Sequence, residues 1–367
     1  MNKRPRTDGV SHGLSMRAAV YHSFGGPISV ESVPRPKVPD GGVVLEVKAT
    51  GVCRSDWHGW KGHDSDIADH GLPFIPGHEL SGVVSEVGAG VANFEVGDRV
   101  AVPFILSCGQ CRECARLRPT ICEAQEQPGF TMRGSFAEFV ALPRADRNLT
   151  KLPDSVGFVA AAALGCRFTT AYRAVVQQGK LTEGDTVAVF GCGGLGLSCV
   201  MLAVAHGASI IVAVDTNPAA RAKAVALGAH HAVDATIGSD DVRARVLELT
   251  EGVGADLTVD AAGFKATCED AVWATRRGGR MVQVGLPLGG NAPVVPMARV
   301  AGREIEIIGS HGLAASDMPA ILALVEAGKL DPGKLVEREC GLDEGAKAIE
   351  AMDEASPLGM TVVTSFR

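Results

Sequence analysis

In Thr186-Val187-Ala188-Val189-Phe190-Gly191-Cys192-Gly193-Gly194-Leu195-Gly196 an apolar β-forming run passes directly into a G-x-G-x-x-G turn, and the segment that continues from it, LGLSCVMLAVAHG, reads as a helix. In such a turn the first glycine permits the tight bend, the second lets backbone approach a pyrophosphate, and the third allows close helix-to-strand packing. The phosphate then sits on the helix N-terminus, where unpaired N–H groups favour an anion. The next apolar strand, SIIVAVD, ends in Asp215, 19 residues after Gly196. A carboxylate there can accept from adenosine ribose hydroxyls and would repel a 2′-phosphate, so NAD is expected over NADP. The alternative is an unliganded turn, since glycine-rich turns are common.

Working outward, ARAKAVALGA is helical, and ADLTVDAAG, RMVQVGL and EIEIIGS are strands. Apolar strands alternating with helices imply a parallel sheet covered on both faces, a doubly wound Rossmann domain over residues 167–307. Upstream the texture differs. MRAAVYHSF, VVLEVKATGV, HELSGVVSEVG and GDRVAVPFIL are short runs bounded by Gly and Pro, which suggests a β-rich barrel or sandwich over residues 16–166. The C-terminal stretch, 308–367, ends in the strand-like MTVVTSF and is expected to complete that first domain. The whole is an α/β chain. Residues 1–15 are polar and turn-rich, without the apolar core of a secretory signal, and are expected to be a disordered extension.

The chain has 367 residues and a net charge of −7, with no basic block, so neither nucleic acid nor an anionic membrane is an expected partner. No run of 18 apolar residues occurs, and no membrane span is expected. Ten cysteines without a signal segment argue for reduced thiols and a cytoplasmic protein, some of the thiols holding metal.

Cys108-x2-Cys111-x2-Cys114-x7-Cys122 can wrap one tetrahedral ion and leaves no position open for substrate, which describes a structural zinc. An iron–sulfur cluster is the alternative. A catalytic zinc needs three ligands and a vacant fourth position, which Cys53, His78 and Cys166 would supply if they converge. Spacing does not decide that. A lone cysteine such as Cys53 is often only a small buried hydrophobe.

From Met16 onward the chain resembles the zinc-dependent alcohol dehydrogenases of the medium-chain dehydrogenase/reductase superfamily, on the motifs GVCRSDWH (51–58), GHELSGVVSEVG (77–88), the four-cysteine run, GCRFTTAY (165–172) and FGCGGLG with Asp215. The resemblance implies a GroES-like catalytic domain and a Rossmann domain, with two zinc ions per chain. Cys53, His78 and Cys166 would bind the catalytic zinc, with Glu79 just behind it and Asp56 holding His78 in its metal-binding tautomer. Ser55 would hydrogen-bond the alcohol and His58 would carry the proton onward, with an unperturbed pKa of about 6.5. Arg54 would pair with the pyrophosphate; Thr170 and Leu195 are grouped with the cofactor. Two positions depart from the family's pattern. Gly359-Met360-Thr361 stands where many members have a pyrophosphate-binding arginine, and Ala220, with Arg221 beside it, where a lysine often approaches the ribose.

The activity implied is NAD-linked oxidation of an alcohol to an aldehyde or ketone, and the reverse. Zinc as a Lewis acid would lower the alcohol's pKa, and the alkoxide would expel hydride to the nicotinamide. A polyol, amino-alcohol or formaldehyde dehydrogenase is the alternative within the superfamily, and a non-catalytic NADH-binding protein the alternative outside it. Trp57 and Phe104 are candidate walls of an apolar substrate slot, with Trp60 and Leu288 further candidates. His63, His70 and His311 are read as solvated unless they tune a polar substrate. By analogy with compact microbial members, a homo-oligomer is expected, a tetramer ahead of a dimer.

Overall fold

The structure, a computed structural model, describes residues 10–287 and 292–367, and side chains from residue 14. Leu288 lies outside the described residues. The chain forms two compact units, Met1–Cys166 with Leu313–Glu326 and Asp331–Arg367, and Arg167–Gly312 with Ala327–Leu330.

In the first unit β1 (Val10–Tyr21) and β2 (Ile28–Pro36) pair antiparallel. β1 starts inside the stretch expected to be a disordered extension, because Val10 and Ser15 find backbone partners in Pro36 and Pro34. β3 (Val43–Gly51), β4 (Glu79–Val87), β5 (Arg99–Val102), β6 (Phe139–Leu142) and β7 (Thr150–Lys151) form a second sheet. There β4 lies between β3 and β5, β7 lies outside β5, and β6 pairs with β3. Val43, Leu45, Val47, Leu80, Val84, Val100 and Val102 put their side chains into one core.

The second unit holds six parallel strands: β8 (Thr186–Phe190), β9 (Ile210–Asp215), β10 (His231–Asp234), β11 (Ala255–Asp260), β12 (Thr275–Gln283) and β13 (Glu306–Gly309). Their order across the sheet is β10-β9-β8-β11-β12-β13. Numbered within the unit, that is 3-2-1-4-5-6, the dinucleotide-binding order, whose ligand crevice lies at the carboxyl ends of the strands where the order reverses. The turn after β8 and the end of β9 are at that point. The chain then returns to the first unit, where β14 (Val336–Gly341) pairs with β15 (Met360–Ser365) and β15 with β3, Val362 opposite Gly51. The C-terminus therefore completes the sheet that the N-terminal segment begins.

Sterics enforce the glycine turn. Gly191 takes φ +93, and a Cβ on Gly196 would lie 1.7 Å from the Gly191 carbonyl oxygen. We expect Gly196→Ala to destabilise the second unit by about 3 kcal/mol, the upper end of ordinary overpacking costs. The check is its unfolding midpoint in urea, which should fall while the first unit's transition stays in place.

Candidate metal centres and nucleotide loop

The short helix Arg54–Trp60 begins directly after Cys53, and Asp56 in its first turn caps it: Asp56 Oδ2 accepts from the Cys53 N–H at 2.9 Å. The other oxygen, Oδ1, accepts from the Gly77 N–H at 3.1 Å and from His78 Nδ1 at 2.9 Å. With Nδ1–H donating to a carboxylate, Nε2 is the bare nitrogen in the neutral form of His78. That atom is buried and has no hydrogen-bond partner among the described residues.

Cys166 comes from a π-helical turn, Leu164–Phe168, within the helical segment 158–178. Gly165 brings this turn against β4, since a Cβ there would lie 2.9 Å from Glu79 Cα. One ligand atom from each of Cys53, His78 and Cys166 lies within 4.8 Å of the others. Burial opposes a proton on His78, yet the Asp56 carboxylate outweighs it and holds His78 well above its ordinary range. The field thus favours positive charge beside two thiols, and a divalent cation fits this donor set.

Cys108, Cys111, Cys114 and Cys122 likewise converge, their sulfurs within 4.8 Å of one another. Backbone N–H groups point at the sulfurs: Cys108 N–H donates to Cys122 Sγ at 3.2 Å, and Cys111 N–H to Cys108 Sγ at 3.3 Å. Such donors stabilise thiolates, and they push Cys111 down to about 6, the Cys114 and Glu123 N–H groups contributing most. Burial pushes Cys122 up to about 12, a cost that a bound cation would offset. The loop is pinned by Asn148, which exchanges hydrogen bonds with Ser107, and by Arg144 paired with Glu126.

Around the three-ligand centre, Ser55 Oγ lies 3.8 Å from Cys53 Sγ, and Glu79 is fully buried. Phe104 sets its ring edge-on to His78, centroids 6.1 Å apart, and donates its N–H to the Gly165 carbonyl. Phe130, absent from the sequence-based candidates, is nearer, at 5.1 Å. Trp57 lies under Arg54, whose guanidinium stacks 3.6 Å from the indole centroid while Nη1 donates to the Met352 carbonyl at 2.6 Å. The indole N–H in turn donates to Asp353 Oδ1 at 2.7 Å. His58 differs from the unperturbed imidazole expected: burial first, then the Arg54 and His63 charges, push it down to about 4. His70 packs on Phe74, and Trp60 is core, its N–H on the Gly26 carbonyl. His311 belongs to the second unit, where burial lowers its pKa.

In the second unit a Cβ on Gly193 would meet open space, whereas Gly194 abuts Arg167. Leu195 lies in the first turn of the helix Gly194–Ala205. Asp215 accepts from the Cys192 N–H at 2.6 Å and from the Asn217 N–H at 2.7 Å, which fixes its carboxylate beside the turn. Thr170 Oγ1 is buried without a hydrogen-bond partner among the described residues. Arg221 spends its donors inside the protein, on the Asp215 and Thr216 carbonyls and on Asp234. Met360 is core: it packs with Ala49, Ala162 and Val362, and its Cε fills the space a Cβ on Gly51 would need.

A family model for the alcohol dehydrogenase GroES-like domain matches residues 39–154, and one for zinc-binding dehydrogenases matches residues 194–327. The chain belongs to the zinc-type alcohol dehydrogenases of the medium-chain superfamily. It is therefore an oxidoreductase. An alcohol dehydrogenase of Geobacillus stearothermophilus is 37% identical over 86% of this chain and 90% of its own length. A sorbitol dehydrogenase of Bacillus subtilis (strain 168) is 32% identical over 92% of this chain and 93% of its own. An alcohol dehydrogenase from Thermus sp. ATN1 superposes with a TM-score of 0.86 at 32% identity, covering 95% of this chain and 100% of that one.

If Cys53, His78 and Cys166 hold a metal, Asp56 would orient one of its ligands rather than supply one, and Asp56→Asn should weaken binding there by about 10–100-fold. The four-cysteine centre should be unaffected. Metal counted per chain after dialysis against a mild chelator should fall in the variant and hold in the parent.

Proposed function

We propose that this protein oxidises primary or secondary alcohols to aldehydes or ketones with NAD, and runs the reverse reaction. One zinc would be held by Cys53, His78 and Cys166 and a second, structural one by the four cysteines. The observation that carries the reading is the convergence of Cys53, His78 and Cys166 on one point, with Asp56 fixing the tautomer of His78. Zinc there supplies a Lewis acid that favours the ionised form of an alcohol, and NAD supplies the hydride acceptor. Ser55, beside Cys53, is the hydroxyl suited to take the alcohol's proton, and His58 passes it on. Because His58 is held down to about 4, it is neutral throughout the physiological range. Asp215 selects NAD by accepting from the ribose and repelling a 2′-phosphate.

Simple alcohols are favoured over polyols because Phe104 and Phe130, which border His78, offer no side-chain partner to additional hydroxyls. A polyol substrate is the second reading, supported by the 32%-identical sorbitol dehydrogenase. A cytoplasmic homo-oligomer also fits: β13 is a sheet-edge strand that exposes Ile307, and Val294 and Met297 are exposed nearby in sequence.

The purified protein should generate NADH absorbance with NAD and an alcohol panel that includes sorbitol, and Cys53→Ser should abolish it. Full turnover by Cys53→Ser with one zinc per chain would sink the proposal. For the cofactor, Arg54 stacked on Trp57 is the cation offered to the pyrophosphate. Losing the stack costs about 1 kcal/mol, so Trp57→Ala should raise the Michaelis constant for NAD roughly fivefold.

A further inference from the structure

His63 is exposed to solvent and is also the partner of His58. The two Nδ1 atoms are 3.0 Å apart, and the His63 N–H donates to the His58 carbonyl at 3.0 Å. Both rings stand edge-on to Trp57, His58 at 4.8 Å and 73°, His63 at 5.4 Å and 74°. Trp57 is itself fixed by Asp353 and Arg54, so the pair leans on an anchored wall. His58 is half-buried and His63 exposed.

Two imidazole nitrogens at this separation can bond only if one carries a hydrogen and the other is bare. With Nδ1 engaged, Nε2 is the one His58 nitrogen left to meet a proton from Ser55.

We propose that His58 and His63 form a two-histidine proton relay, in which His63 is the outlet to solvent. This rests on the reading above that His58 belongs to the proton path. During alcohol oxidation a proton enters at His58 Nε2, the Nδ1 proton of His58 crosses to His63 Nδ1, and the Nε2 proton of His63 leaves to water. No electron moves, and one proton in is one proton out. Both rings end in the opposite tautomer; exchange with water, or the reverse traffic of carbonyl reduction, resets them. Besides His63, the groups whose charge acts on His58 are Arg54, Cys53 and Asp64.

The test uses the zinc-loaded holoenzyme and compares His63→Ala, His63→Gln and His58→Gln for alcohol oxidation across pH. His63→Ala is expected to lower kcat about 100-fold, the low end of what a positioned proton carrier contributes, to leave the Michaelis constant for NAD near the parent's, and to regain rate as free imidazole is added. His63→Gln, which can hold the hydrogen bond but cannot relay a proton, should be as slow as His63→Ala. Parent-like rates and pH profiles in both His63 variants, with His58→Gln slow, would overturn the relay alone. A loss in His63→Ala that His63→Gln restores and imidazole does not would also overturn it, showing that His63 only props the ring. Indifference in all three variants would overturn the underlying role of His58 as well.

Discussion

Asp56 is 2% exposed and ionisable, and a carboxylate so placed is costly unless its lone pairs are used. Three donors use them: the Cys53 N–H, the Gly77 N–H and His78 Nδ1. One side chain thereby caps a helix, ties that helix to the loop before β4, and leaves the far nitrogen of His78 bare. The placement of Cys53 and His78 follows from satisfying this one group. A seven-residue helix would not persist alone, because nucleation costs more than so few bonds return. It persists because Asp56 is anchored outside it.

The same helix presents different chemistry on each side because successive residues turn by about 100°. Asp56 faces inward, while Arg54 and Trp57 meet Met352 and Asp353 from the returning C-terminal segment. β15 lies against β3 beside them, and Met360 closes that packing. The missing arginine at 360 is thus explained in packing terms: a methionine fills the space beside Gly51. Arg54 is held in place by its stack on Trp57 and its hydrogen bond to the Met352 carbonyl.

Much of the fold was legible because its signals are local. β8, the glycine turn and the acidic end of β9 all fall between Thr186 and Asp215, and sterics dictate their arrangement. β10 escaped notice because His231 and Ala232 are exposed, which dilutes the apolar pattern that marks a buried strand. The alanines of the helical segment 158–178 suit a helix, but its π turns are nothing that propensity encodes. Phe130 and His63 were missed as site neighbours for a related reason. Nothing in a lone aromatic or loop histidine says which ring it will meet.

The four-cysteine centre and the dinucleotide turn were determined by the sequence itself, since short spacings leave the chain few ways to arrange those atoms. The centre of Cys53, His78 and Cys166 was decided by tertiary structure. Its three residues are 25 and 88 positions apart, distances over which spacing constrains nothing. A buried carboxylate, a glycine that lets a helix touch β4, and a π turn bring them together. The protonation of His58 was decided there too, because burial and the Arg54 charge belong to the folded chain and not to the residue.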